Sequence, residues 1–290
     1  MKKFFVLAAA AALVLVSCKK KDVPVPEPEK PEAKTAIENL VAYFPLESAT
    51  EAVKVGEGVS YETKGGAGNF GAGYIGQGYV NTAGNNNEAF LKLKLASNNA
   101  LAKLQDVTFT AWVKNPEDFQ KGALISVNGK NFPTQDWPSM IAYFDNKGTD
   151  EETGVKKQQV NGRFMFKNAE GAETNLWLDT WDPAFAVYGK WFQFAFTYQA
   201  STGAWALYVD GVKVREAEYG DKMPFGKCIP ADASAIYVGG WSSFIEKYPG
   251  AAEWQMYFGG SIDEIRFYNK PLTEAEIQSL RKEEVAIALS

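Results

Sequence analysis

Two adjacent carboxylates, Asp263 and Glu264, stand inside the apolar stretch "FGGSIDEIRFYNKPLTEAEI", which runs from Phe258 to Ile277. Acids in such surroundings have three uses: a pair for acid–base chemistry, metal ligands, or structural acceptors. Hydrolysis of a glycosidic bond takes two carboxylates facing one substrate. Consecutive strand residues point to opposite faces. On a regular strand Ile262, Glu264, Arg266 and Tyr268 share one face, and Asp263, Ile265 and Phe267 share the other. The two acids then cannot act on one substrate. Glu264 and Arg266 become a solvated pair of little energetic weight. Asp263, left on an apolar face, needs hydrogen bonds, a counter-charge or a metal.

Other chemistry is scarce. The chain has no histidine, which removes Ser-His and Cys-His nucleophiles. In "LDTWDP", Asp179 and Asp182 flank Trp181, and a solvated loop with an Asp-Pro turn accounts for them more simply than catalysis. "GGAGNFGAGYIGQG" contains G-x-G-x-x-G twice, at Gly66-Gly68-Gly71 and at Gly71-Gly73-Gly76. A dinucleotide fingerprint needs a strand before it and a helix after it. The next residues, "YVNTAGNNNEAF", carry turn and strand chemistry, so these glycines read as turns or close backbone packing.

The elements that position these residues are strands. "FQFAFTYQ" puts Phe192, Phe194, Phe196 and Tyr198 on one face and Gln193, Ala195 and Thr197 on the other. "VTFTAWVK", "SMIAYF" and "GRFMFK" are of the same kind. "ALYVDGVKV" is a hairpin, because Asp210 and Gly211 both tolerate positive φ. One helix closes the chain: Thr273 and Glu276 form a capping box, with Ile277 and Leu280 on the packed face. Many short strands, turn signals between them and little helical periodicity indicate an all-β fold, a two-sheet antiparallel jelly-roll sandwich with a short C-terminal helix.

The N-terminus has a different character. "MKKFFVLAAAAALVLVSC" has two lysines, an apolar run and a small residue before Cys18, the plan of a secretory signal over residues 1–17. "LVSC" resembles a bacterial lipobox, which implies lipidation at Cys18 and a membrane anchor without a spanning helix. Residues 18–36 are rich in Pro, Glu and Lys and read as a tether. Residues 37–290 form one domain. After cleavage Cys228 is the only other cysteine, so no internal disulfide forms. Loss of Lys2 and Lys3 takes the formal charge from −5 to −7, with 28 basic against 35 acidic residues. An acidic chain without a basic cluster points away from nucleic acid.

Several segments, in order, are similar to the motifs of laminin-G-like domains in the concanavalin A-like lectin/glucanase superfamily. They are "LVAYFPLES", "GYIGQGYV", "DVTFTAWVK", "GKWFQFAFTYQASTGAWALYVDGVKV", "IYVGGW" and "FGGSIDEIRFYNKPLTEAEIQSL". The resemblance implies the jelly roll, a fold that hosts lectins, adhesion modules and glycanases alike. The glucanases of the superfamily carry a glutamate-x-aspartate-x-glutamate pattern, which no strand of this chain shows. The resemblance also implies a structural calcium between first and last strands, with Glu47 and Asp263 as its acids. The alternative is Asp263 accepting backbone N–H groups.

The expectation is a non-catalytic, lipid-anchored glycan-binding protein of the cell envelope, at the outer membrane. Lys19 is not the aspartate that favours inner-membrane retention. The alternatives are a protein-adhesion module with a protein partner, and a glycoside hydrolase. For sugar stacking the turn-rich segments offer Trp137, Trp181 and Trp241, with Asp136, Asp179 and Asp182 as hydroxyl acceptors.

Overall fold

The computed structural model describes residues 38–47, 60–64, 70–81, 88–94, 100–116, 121–129, 138, 140–149, 151–154, 156–167, 173–179, 188–218, 233–247, 251 and 257–290. The leader, Cys18 and the tether lie outside them. Among them no helix is long and apolar enough to cross a membrane.

Two antiparallel sheets enclose the core. Sheet 1 runs β13 (Val212–Glu218), β12 (Ala204–Val209), β11 (Trp191–Gln199), β6 (Val107–Lys114), β15 (Ser261–Tyr268), β4 (Gln77–Val80), β3 (Phe70–Ala72), with β1 (Leu40–Phe44) also pairing with β15. Sheet 2 runs β10 (Glu173–Asp179), β9 (Lys156–Lys167), β8 (Met140–Thr149), β7 (Gly122–Gly129), β14 (Ala233–Val238), β5 (Phe90–Lys94), β2 (Ser60–Lys64). The expected all-β sandwich is what the chain forms.

Alternation sorts the residues as the sequence indicates. Phe192, Phe194, Phe196 and Tyr198 of β11 enter the main core, where the Phe109 ring lies 5.1 Å from that of Phe196. Each such ring, fully enclosed, stabilises the fold by about 2–3 kcal/mol relative to exposure. The β12–β13 turn is Asp210-Gly211, at φ 51° and 80°. The glycine-rich stretch supplies the hairpin β3–β4, whose turn is closed by Gly73 N–H donating to Gly76 O at 3.0 Å. A strand comes after it where a dinucleotide site needs a helix.

The outer face of sheet 1 is covered by the C-terminal helix α2 (Glu274–Ala288); a one-turn helix, α1 (Ser242–Ile245), precedes it in the chain. Thr273 and Glu276 complete the capping box at the start of α2, a motif of order 1 kcal/mol. Ile277 and Leu280 pack with Leu272, Tyr268, Tyr208, Ala195 and Ala206 in a second apolar cluster.

Candidate functional site

Strand β15 is not regular at its acids. Its edge away from β6 pairs with β4 at Ser261 and Ile262, then with β1 from Ile265 to Tyr268. Between the two partners Glu264 takes φ 53°, and the register with β6 shifts between Asp263 and Arg266. A bulge of this kind adds a residue and resets alternation. Ile262, Ile265 and Phe267 stay in the main core, while Asp263, Glu264 and Arg266 all turn to the outer side.

This corrects two expectations. Asp263 does not share a face with Ile265 and Phe267. Glu264 and Arg266 are not solvated: they are 1% and 3% exposed and 2.5 Å apart at Oε2 and Nη2. Arg266 also pairs with Glu284, which α2 carries on the stripe of Ile277 and Leu280. Tyr43 Oη donates to Glu264 at 2.8 Å, and the guanidinium lies 4.1 Å over its ring. Trp112 Nε1 and Gln193 Nε2 each donate to Glu284 at 2.7 Å. Burial pushes the Glu284 carboxyl up to about 7, against the pull of Arg266. Burial also raises Tyr43.

Asp263 is fully buried and holds the β3–β4 turn. Its Oδ2 accepts from Tyr74 N–H at 2.8 Å and Ile75 N–H at 3.0 Å, and its Oδ1 accepts from Glu264 N–H at 2.8 Å. Glu47 holds the other end of the turn by accepting from Gln77 N–H at 2.9 Å. The close approach excludes side chains: a Cβ on Gly73 would lie 2.6 Å from Asp263 Oδ2. Burial, then the charge of Glu264, raises the Asp263 carboxyl well above its usual range, although three N–H groups oppose this. Asp263 thus accepts backbone N–H groups, as one of its two readings has it. Among the described residues no three Asp, Glu, His or Cys side chains converge as a metal site.

Sheet 2 presents the other candidate surface. On its outer face Ser126 Oγ donates to Gly240 O at 2.8 Å and accepts from Ser242 N–H at 2.9 Å, which lays the segment from Gly240 to Ile245 across the strands. Trp241 is thereby enclosed, at 1% exposure, with its ring 4.9 Å from that of Tyr143 and beside Ala123 and Ile141. Stacking on a sugar needs an open ring face, so the structure corrects the expectation for Trp241: it is core. Trp137, Trp181, Asp136 and Asp182 lie outside the described residues. Asp179 ends β10 in register with Asn161 of β9, which is in turn in register with Tyr143 of β8.

Asn161 is the residue that sequence reasoning missed. It is fully buried, and neither Nδ2 nor Oδ1 has a partner. Gln159 and Arg163, two residues to either side, belong to the same outer face, while Val160 packs inward. At the β5–β14 end of this face Tyr237 Oη donates to Glu246 at 2.5 Å, and Lys92 pairs with the same carboxylate. The sequence signal was an amide alternating out of a core strand in "QQVNGRF".

Two face-to-face antiparallel sheets with a helix closing the last strand define a lectin-like sandwich. The chain belongs to the Laminin_G_3 family of the concanavalin A-like lectin/glucanases superfamily, whose sequence model matches residues 76–278. No curated protein sequence matches the chain. Similar solved structures include the receptor binding domain of botulinum neurotoxin C/D mosaic serotype, 12% identical with a TM-score of 0.54, covering 84% of this chain and 51% of that one. The botulinum neurotoxin serotype D ligand binding domain, in complex with N-acetylneuraminic acid, is 14% identical with a TM-score of 0.51, over 84% and 50%. Domain 4 of AbnA, a GH43 extracellular arabinanase from Geobacillus stearothermophilus in complex with arabinotriose, is 19% identical with a TM-score of 0.47, over 83% and 98%. The chain spans about half the length of the toxin domains it matches. At these identities the likeness is one of fold.

Proposed function

We propose that the protein is a non-catalytic, lipid-anchored glycan-binding protein of the cell envelope, held at the outer membrane through Cys18. The observation that carries this reading is membership of a lectin/glucanase family over residues 76–278. The signal and lipobox-like segment before Cys18 supply the anchor, and the tether gives the domain reach from the membrane. The botulinum serotype D domain with bound N-acetylneuraminic acid gives the fold a precedent for sugar recognition. The acids that first suggest hydrolysis are directed elsewhere: Asp263 and Glu264 are enclosed and hydrogen-bonded, with no face to a substrate.

The test is a screen of the full-length protein in detergent against a broad polysaccharide panel, with reducing-sugar release followed in parallel. Binding to at least one polysaccharide without release of sugar is the expected result. Release of sugar would make it a glycanase. Failure to bind any polysaccharide, with a protein partner recovered by pulldown, would make it an adhesion module.

A further inference from the structure

We propose that Tyr74, Trp191 and Arg281 form a binding site for a saccharide that carries a carboxylate, on the outer face of sheet 1 beside α2. The inference rests on the glycan-binding reading above and gives it a place and a ligand charge. Buried Trp112 is the floor of the site. The Tyr74 ring stacks on it at 3.4 Å and 9°, and the Arg281 guanidinium lies 5.6 Å from the same ring. Trp191 stands edge-on to Tyr74, at 6.1 Å and 63°. These three groups reach solvent: Tyr74 and Trp191 are half-buried, and the Arg281 side chain is 35% exposed. With one face on Trp112, Tyr74 turns its other face away from the sheet. Among the described residues neither the Tyr74 hydroxyl nor Trp191 Nε1 has a protein partner.

The chemistry fits that ligand. Aromatic rings stack on the apolar faces of pyranoses, and a phenol hydroxyl and an indole N–H can meet the sugar hydroxyls. Asp210 engages Nε of Arg281, at 3.0 Å, which leaves the two Nη groups as a fork that matches a carboxylate. Lys114, the register partner of Trp191 on β6, is half-buried on the same face and adds a second cation, in a chain whose formal charge is −5. The groups come from separate elements, and buried acids fix two of these. Asp263 and Glu47 hold the β3–β4 turn that carries Tyr74. Glu284 ties α2, which carries Arg281, to Trp112 and Gln193. The β12–β13 turn packs on α2 at the same place: a Cβ on Gly211 would lie 3.7 Å from Arg281 Cδ.

The experiment uses the full-length protein in detergent. Trigalacturonate and sialyllactose are the probes, each beside its methyl ester, which removes the carboxylate charge and keeps the rings. Calorimetry should find at least one acid that binds about tenfold or more tightly than its ester. Arg281→Gln should abolish that preference, and Trp191→Ala should weaken acid and ester alike by about tenfold. In the unmutated protein, titration with the acid should shift the backbone amide signals of Tyr74, Trp191 and Arg281. That second measurement decides the matter if a variant does not fold. Acids that bind no tighter than their esters, binding that survives both substitutions unchanged, or three unmoved signals would overturn the site and leave the glycan-binding reading intact. If neither acid binds while the polysaccharide screen finds a ligand, this inference falls alone; if the screen also finds none, both fall.

Discussion

Glu264 and Arg266 stand two residues apart on β15 and meet at 2.5 Å in the interior, beside a bulge at which Glu264 takes φ 53°. The bulge falls where the strand changes partner from β4 to β1. It turns both side chains under α2, where Glu284 and Tyr43 complete the network. A buried ion pair is weak evidence of net stabilisation, but removal of one member leaves the others unmatched.

Arg266→Met should therefore destabilise the domain strongly. Glu264 and Glu284 would lose their shared cation while still buried, at a cost of roughly 3–5 kcal/mol. Urea unfolding followed by tryptophan fluorescence measures it. A change under about 1 kcal/mol would mean that the carboxylates accept protons without penalty.

The same network gives stability a pH dependence of defined sign. The folded-state pKa of Glu284, about 7, lies above its ordinary value of 4.5. The folded protein thus holds a proton that the unfolded chain has released. The contribution is full below pH 4.5 and is lost as pH rises through about 7. Its full span is roughly 3 kcal/mol. The raised Asp263 acts in the same direction. Glu284→Gln keeps an acceptor for Trp112 and should flatten this part of the profile. Urea midpoints from pH 5 to 8 should show the variant gaining on the parent as pH rises; parallel curves would refute the assignment.

Asp263→Ala should lower the melting temperature, because Tyr74, Ile75 and Glu264 lose the acceptor of their N–H groups. The expected loss is about 1–3 kcal/mol. EDTA should leave the parent unchanged, since both carboxylates at the turn already accept backbone donors. A fall in EDTA that calcium restores would instead place the ion at Glu47 and Asp263.

Cys18→Ser should abolish palmitate labelling and move the protein out of the membrane fraction or leave it unprocessed. The lipobox-like "LVSC" motivates the test. Unchanged labelling and fractionation would show that the anchor lies elsewhere.

What the sequence by itself determined is the local order. The alternation of β11, the Asp210-Gly211 turn and the capping box at Thr273 depend on neighbours within a few residues, and each forms as its spacing indicates. Glu284 was half legible: its place seven residues after Ile277, on the apolar stripe of a helix, marks a buried acid, but nothing local names Arg266 as its partner. Tertiary structure decided the rest. The phase of β15 depends on two strands, β4 and β1, that meet the same edge from distant parts of the chain. Trp241 sits in a segment with turn composition and is core, because Ser126 ties that segment across sheet 2. The unmatched amide of Asn161 exists only once the strands beside it are in register, since a hydrogen-bond demand is defined by what three-dimensional neighbours fail to supply.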